Sequence, residues 1–344
     1  MESADWHFTP PAAVRDDIEW AASLSHFAYW WRGPTHHDFD ALKSLTEDDP
    51  GLTPPSFGPL KPFESAGEVH RCIRDMLHGL GDDARVDLWE PAPSGLCCAF
   101  LVVQATGRLV ITFRGTFDMA DLADDATCRL VAAARAEDAS PTPPGKVHQG
   151  FLCHLTRAGA HKRLLERVRA LASVGSAERP VDVLLVGHSL GAASAILLAS
   201  LLARDGRGES GPAALHLRMT LVTFGAPRTG DAVFADALST ESSVRHYRVQ
   251  NHLDFVTRMP YWAPWPGAWK HSQSWHVWLS EGRVRCSPKV PFTRASLPLG
   301  FGFLAKPTAI FTSQVCDPRH HKMGTRFGYR QALRDAAWSE ELMH

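Results

Sequence analysis

The chain has 344 residues, 44% of them hydrophobic and 21% charged, with a formal net charge of −1. That is enough apolar material for the full core of one large domain, while the near-neutral balance excludes the basic footprint of a nucleic-acid binder. Seven cysteines, at 72, 97, 98, 128, 153, 286 and 316, include no C-x-x-C pair, which suits neither a zinc site nor a small disulfide scaffold. No uninterrupted apolar run reaches ~18 residues, so no spanning helix is expected. The first residues, Met1 to His7, show no basic start and no apolar h-region. Reduced thiols in a cytoplasmic protein are the expectation, with signal-free export or a missing leader left open.

Apolar residues near helical spacing predict a helix over 14–31, ended by Gly33-Pro34. Residues 38–62, with Pro54-Pro55 and Gly58-Pro59, read as a loop, and 64–80 as a second helix. Two strands rich in Val, Ile and Phe follow, over 96–104 and 109–113, separated by the turn Ala105-Thr106-Gly107-Arg108. The Ala/Pro-rich stretch 132–145 reads as a mobile connection, and 151–172 as one basic amphipathic helix. A strand from 181, a helix after Ser189, a strand over 217–224, a helix over 231–238 and a strand over 244–250 complete the pattern. Such alternation predicts an α/β fold with a mostly parallel central sheet and helices on both faces. Residues 1–90 are expected to be a helical and loop segment wrapping the same domain, and 91–344 its catalytic core.

The pentapeptide Gly187-His188-Ser189-Leu190-Gly191 stands between the apolar run 181–186 and the helix former Ala192 to Ala199. A serine on a sharp strand-to-helix turn is the nucleophile elbow of the α/β-hydrolase fold. The turn strains the serine backbone, and side chains at the flanking glycines would collide across it. The turn also places the Leu190 N–H, at the helix N-terminus, where an oxyanion would form. G-x-S-x-G arises by chance roughly 0.1 times in a chain this long, so its strand and helix context carries the inference.

A serine hydroxyl needs a base, and the base an orienting carboxylate, in the chain order Ser, Asp or Glu, His. Asp231 opens a helix behind Gly230 and reads as an N-cap. Asp254, just past the strand 244–250, sits on the rim where such sheets hold their sites. Among histidines, His252 is too close in sequence to Asp254 to meet Ser189, and His271 and His276 flank a Trp-rich strand as structural or pocket-lining groups. His320 and His321 follow Asp317-Pro318-Arg319 and precede a terminal helix, on a loop that can reach Ser189. No H-E-x-x-H or cysteine partner makes that pair a zinc site. A second oxyanion donor is expected from the end of the 109–113 strand, where Phe113-Arg114-Gly115-Thr116 offers the Thr116 N–H and hydroxyl.

Together these segments resemble the class 3 lipases, the family of fungal triacylglycerol lipases and their bacterial and plant relatives. The resemblance rests on Phe113-Arg114-Gly115-Thr116, Val147-His148-Gln149-Gly150-Phe151, Gly187 to Ala192, Thr223-Phe224-Gly225-Ala226-Pro227-Arg228, Asn251 to Asp254 with Arg258 and Pro260, and the late histidine, in that order over residues 95–335. It implies a serine esterase with Ser189 as nucleophile, Asp254 as orienter and His321 as base, and with Thr116 and Leu190 as the oxyanion hole. His320 stays open as the alternative base. Asp124 falls where the family carries an aspartate closing its lid segment. Two departures stand out. The tryptophan near that aspartate is missing, and the late tyrosine, Tyr329, lies eight residues past His321 where the family often has it about four past.

The function implied is hydrolysis of a lipid ester, an acylglycerol or phospholipid, through an acyl-enzyme that needs neither metal nor organic cofactor. Tryptophans 262, 265, 269, 275 and 278 suggest an acyl-binding wall or a membrane-surface contact, with ordinary packing as the competing reading. The apolar stretch 298–311 is a second candidate for that groove. Alternatives are a non-catalytic hydrolase-fold scaffold acting through partners, or a short-chain, feruloyl or polyester esterase. Gly300-Phe301-Gly302-Phe303-Leu304-Ala305 fits a loose dinucleotide fingerprint, but Pro307 follows where a helix should begin.

Overall fold

A computed structural model describes residues 12–33, 38–55, 62–90, 99–115, 129–132, 143–206, 215–260, 269–280, 282–287, 321–323, 328–335 and 337–338. The elements are α1 (Ala12–Trp30), α2 (Ala66–Leu80), β1 (Arg85–Glu90), β2 (Ala99–Val103), β3 (Leu109–Phe113), β4 (Leu130–Ala132), β5 (Lys146–His148), α3 (Gln149–Thr156), α4 (Ala160–Ala172), β6 (Val181–His188), α5 (Leu190–Gly206), β7 (Leu217–Phe224), α6 (Ala232–Ser239), β8 (Val244–Asn251), β9 (Trp275–Ser280), β10 (Arg283–Ser287), α7 (Tyr329–Asp335) and β11 (Ala337–Trp338). Nine strands form one sheet in the order β1-β2-β3-β6-β7-β8-β9-β10-β11, and β4 and β5 pair separately. The β3-β6-β7-β8-β9 core is parallel, while β1-β2-β3 and β9-β10 are antiparallel. The mostly parallel sheet expected from the alternation is therefore present, with antiparallel strands added at its sides.

Strand side chains alternate between two apolar layers, as the two-residue pleat requires. Leu184 and Val186 of β6 join Val110 of β3 and Phe100 of β2 in a cluster with α1, α2 and α7. Val183 and Leu185 join Ile111 and Leu101 in a second cluster with α3, α4, α5 and α6. Burial on both faces explains why β6 reads as a continuous apolar run. α5 is apolar all round for the same reason, with most of its residues inside the second layer.

The helix over 64–80 starts at Ser65, whose side chain caps the Glu68 N–H, and stops at Gly81, a residue with φ of 81° whose N–H returns to the Leu77 carbonyl. The single helix expected over 151–172 is corrected to two. The chain breaks at Arg157–Gly159, where Ala158 has φ of 52° and Gly159 of 73°. Two left-handed residues in succession end any α-helix, and the apolar spacing simply resumes beyond them. α4 is then tied to the sheet edge, with Arg163 bidentate on Glu90 at 2.6 Å and Arg167 paired with Asp87. The pairing of β1 with β2 shifts register between Val86 and Leu88. Residues 133–142 of the expected connection 132–145 lie outside the described residues, as do the stretch 298–311 with its groove-wall reading and the fingerprint 300–305. Among the described residues no helix is long and apolar enough to cross a membrane.

Candidate active site

β6 delivers Ser189 at its C-terminal end, with φ of 56°. Outside glycine, only Ala158 shares a positive φ among the described residues. The strain is held in place by the Ser189 N–H donating to the Phe224 carbonyl at 2.9 Å and the Ser189 carbonyl accepting from Ala192 at 3.0 Å. Both flanking glycines are sterically required. A Cβ at Gly187 would lie 2.3 Å from the Gly191 oxygen, and one at Gly191 2.6 Å from the carbonyls of Phe113 and Arg114. The second contact seats the elbow against the loop that leaves β3. Ser189 is 1% exposed, and its hydroxyl oxygen makes no hydrogen bond among the described residues.

Asp254 follows the end of β8 by three residues and is fully buried. One carboxylate oxygen accepts the Val256 N–H at 2.9 Å and the other the Tyr329 hydroxyl at 2.5 Å. His321 places Nδ1 3.0 Å from both oxygens. With Nδ1–H committed to the carboxylate, Nε2 is the nitrogen free to serve as acceptor. Gly225 lets the pair approach the elbow. It follows Phe224, which holds the Ser189 N–H, and a Cβ there would lie 2.6 Å from Asp254 Oδ2 and 3.0 Å from the His321 ring. Thus Ser189, Asp254 and His321 gather at the C-terminal ends of β6, β7 and β8, the edge where open parallel sheets carry their sites. Leu190 is buried in the first turn of α5. Thr116, Asp124, His320, Trp262 and Trp265 lie outside the described residues.

Tyr329 had no role assigned from the sequence. Its proton goes to Asp254, and burial together with the carboxylate's charge pushes its pKa well above the usual phenol value. It is therefore a neutral donor that fixes the orienting carboxylate. The signal in the sequence was the late tyrosine, present at altered spacing.

The other candidates take structural places. Asp231 caps α6 by accepting the Phe234 N–H at 2.9 Å. His252 bonds the Ser280 hydroxyl, His271 the Thr257 carbonyl and His276 the Gln250 side chain, at 2.7, 2.7 and 3.2 Å. His276 lies within β9 and does not flank it. Trp269 is buried beside His148, and Trp275 packs on the α1–α2–α7 cluster. Those two rings support packing over an acyl wall. Among the described residues no group of three or more His, Cys, Asp or Glu side chains is arranged to hold a metal ion.

Residues 110–263 match the family model described as Lipase (class 3). The rice protein named phospholipase A1 EG1, chloroplastic/mitochondrial (Oryza sativa subsp. indica), is 33% identical over 199 residues, covering 52% of this chain and 44% of that protein. Phospholipase A1-IIdelta of Arabidopsis thaliana is 28% identical over 145 residues, 42% of this chain and 31% of the relative. The chain thus spans less than half the length of these relatives. Among solved structures, lipase II from Rhizopus niveus superposes with a TM-score of 0.53 at 17% identity, covering 80% of this chain and 85% of the other. The lipase of Rhizopus microsporus var. chinensis gives 0.52 at 18%, covering 81% and 79%. At such identities the likeness is one of fold, and the fold is that of the α/β-hydrolases. His321 and Tyr329 lie beyond the matched segment; Ser189 and Asp254 lie within it.

Proposed function

We propose that this chain is a member of the class 3 lipase family, supported by the match over residues 110–263, and a serine hydrolase of lipid carboxylic esters, acylglycerols or phospholipids. The observation that carries the reading is that the Asp254–His321 pair and the strained Ser189 meet around Phe224-Gly225 at one edge of the sheet. His321 Nε2 takes the Ser189 proton as the oxygen attacks the ester carbonyl. Asp254 holds the imidazole in the required tautomer and balances the imidazolium that forms. The Leu190 N–H, with Thr116 as the second donor, stabilises the tetrahedral oxyanion, each such donor being worth about 10²–10³ in rate. His321 then gives its proton to the departing alcohol, and water activated by the same nitrogen releases the fatty acid from the acyl-enzyme.

Phospholipids are the favoured class, since the rice and Arabidopsis relatives carry the name phospholipase A1. Contact with a lipid surface belongs to the same reading, because a phospholipid ester is met at one. The reading also takes residues 1–90 as a wrap of the same domain, supported by α1 and α2 sharing an apolar cluster with the sheet. A cytoplasmic location is kept with it, supported by the unbridged thiols of Cys72 and Cys286.

The test is turnover of p-nitrophenyl and phospholipid esters together with labelling by a fluorophosphonate probe. Wild type should turn over and label, and Ser189→Ala should do neither. Turnover retained by Ser189→Ala would overturn the assignment, and a folded wild type inert to both substrate and probe would point to the scaffold reading.

A further inference from the structure

His188, the residue before the nucleophile, is buried with both ring nitrogens engaged. Nε2 lies 2.6 Å from the backbone carbonyl oxygen of His321, and Nδ1 2.6 Å from the hydroxyl of Tyr29 on α1. A carbonyl only accepts, so Nε2 carries the proton. Burial, and after it the charge of His321, holds the His188 pKa well below the usual imidazole value, so the ring is neutral. Nδ1 is then a lone pair, and the Tyr29 O–H donates to it. Tyr29 keeps that proton because burial raises its own pKa. The Tyr29 oxygen also lies against residue 115, where a Cβ would come within 2.2 Å of it.

The result is one continuous line of donors: Tyr29 O–H to His188 Nδ1, and from His188 Nε2–H to the His321 carbonyl. Every donor points the same way, so each bond polarises the next. The segments that meet here are far apart in sequence but adjacent to the three working parts of the site. Residue 115 precedes the expected oxyanion donor Thr116, residue 188 precedes the nucleophile, and residue 321 is the base. They also touch. A Cβ at residue 115 would lie 2.2 Å from the Tyr29 hydroxyl and 3.1 Å from the Ser189 Cβ. The His188 and His321 rings lie 4.5 Å apart between centroids.

We propose that Tyr29 and His188 are positioning residues that hold the His321 backbone, and through it the imidazole, in register with Ser189 and the oxyanion loop. The proposal rests on the esterase reading above. Both side chains are buried, so their effect falls on the orientation of the base and not on binding.

The experiment measures kcat and KM on a p-nitrophenyl ester for wild type, Tyr29→Phe, His188→Gln, His188→Leu and the Tyr29→Phe/His188→Leu double variant, with active sites counted by fluorophosphonate titration. Tyr29→Phe and His188→Leu are each expected to lower kcat roughly 10- to 100-fold while KM stays within about twofold. The double variant should be no slower than His188→Leu alone, because both changes cut the same line. Glutamine can donate to the His321 carbonyl and accept from Tyr29, so His188→Gln should recover most of the rate. Wild-type kcat in Tyr29→Phe, multiplying losses in the double variant, or a His188→Gln as slow as His188→Leu would each overturn the proposal. If His188→Leu does not fold, Tyr29→Phe and His188→Gln still decide it. Failure of the underlying reading looks different, because Ser189→Ala would then remain active or the wild type itself would be inert to ester and probe.

Discussion

The two helical layers on either side of the sheet serve the site in different ways. The α3–α6 layer carries α5, which leaves the nucleophile directly, and its contribution is local: a strained residue, two glycines and one helix N-terminus. The α1–α2–α7 layer contributes at a distance. Tyr29 comes from α1 and Tyr329 from α7, and both act on groups attached to other segments. Backbone geometry fixes the serine through its own turn and the adjoining ends of β3 and β7. By contrast, the imidazole is held by contacts that close loops of 67, 75 and 133 residues. The serine is therefore set by one turn and the strand ends beside it, whereas the histidine depends on the packing of the whole α1–α2–α7 layer.

The largest effect that would test this contrast is on the rim itself. Asp254→Asn keeps an acceptor for the Val256 N–H but removes the charge and lets His321 adopt the wrong tautomer. Ester turnover should fall about 10³–10⁴-fold with the fold intact, and a loss under tenfold would break the link between the carboxylate and the base. A smaller effect is expected in the α1–α2–α7 layer. Asp75 on α2 accepts from Arg330 and Arg334 on α7, both at 2.5 Å. The Arg330 side chain is only 4% exposed, so Asp75→Asn leaves a buried cation without its partner. Urea unfolding should show a loss of about 1–3 kcal/mol, less than for a fully buried pair because Asp75 is 30% exposed. An unchanged midpoint would mean that apolar surface alone holds this layer.

The smallest effect probes the opposite layer. His148 caps α3, with Nδ1 accepting the N–H groups of Gly150 and Phe151 at 3.1 and 3.4 Å, and burial lowers its pKa from 6.5 to about 4. The unfolded chain then binds the proton first. The stability owed to neutral His148 is complete above pH 6.5 and is lost as pH falls towards about 4. Asparagine caps without titrating, so His148→Asn should reduce the drop in melting temperature across that window by about 2 °C. Identical slopes for both proteins would show that the cap does not govern the acid response.

The parallel sheet, the elbow and the position of Asp254 were legible because each has a short-range cause: two-residue alternation, crowding at Gly187 and Gly191, and a strand end. The bend at Ala158 was not. The apolar spacing runs on across it, and the only mark was Gly159 within a helical pattern. Tyr29 and His188 left no mark either. The first sits in a helix whose polar residues Ser23, Ser25 and His26 are buried along with its apolar ones, so spacing does not single it out. The second occupies the variable place in the pentapeptide, where any residue satisfies the motif. Tyr329 was visible only as a departure in spacing, and its bond to Asp254 follows from the layer that brings α7 over β8 and β9.

The strand at one side of the sheet, β1, has a further consequence for the protein at high concentration. An outermost strand presents unpaired backbone groups on which another molecule could extend the sheet and start aggregation. Here Asp87 and Glu90 lie under arginines from α4, Arg85 projects a charge, and the shift between Val86 and Leu88 spoils the straight ladder that a second chain would need. The pairs that fasten α4 to the sheet thus also keep neighbouring molecules apart.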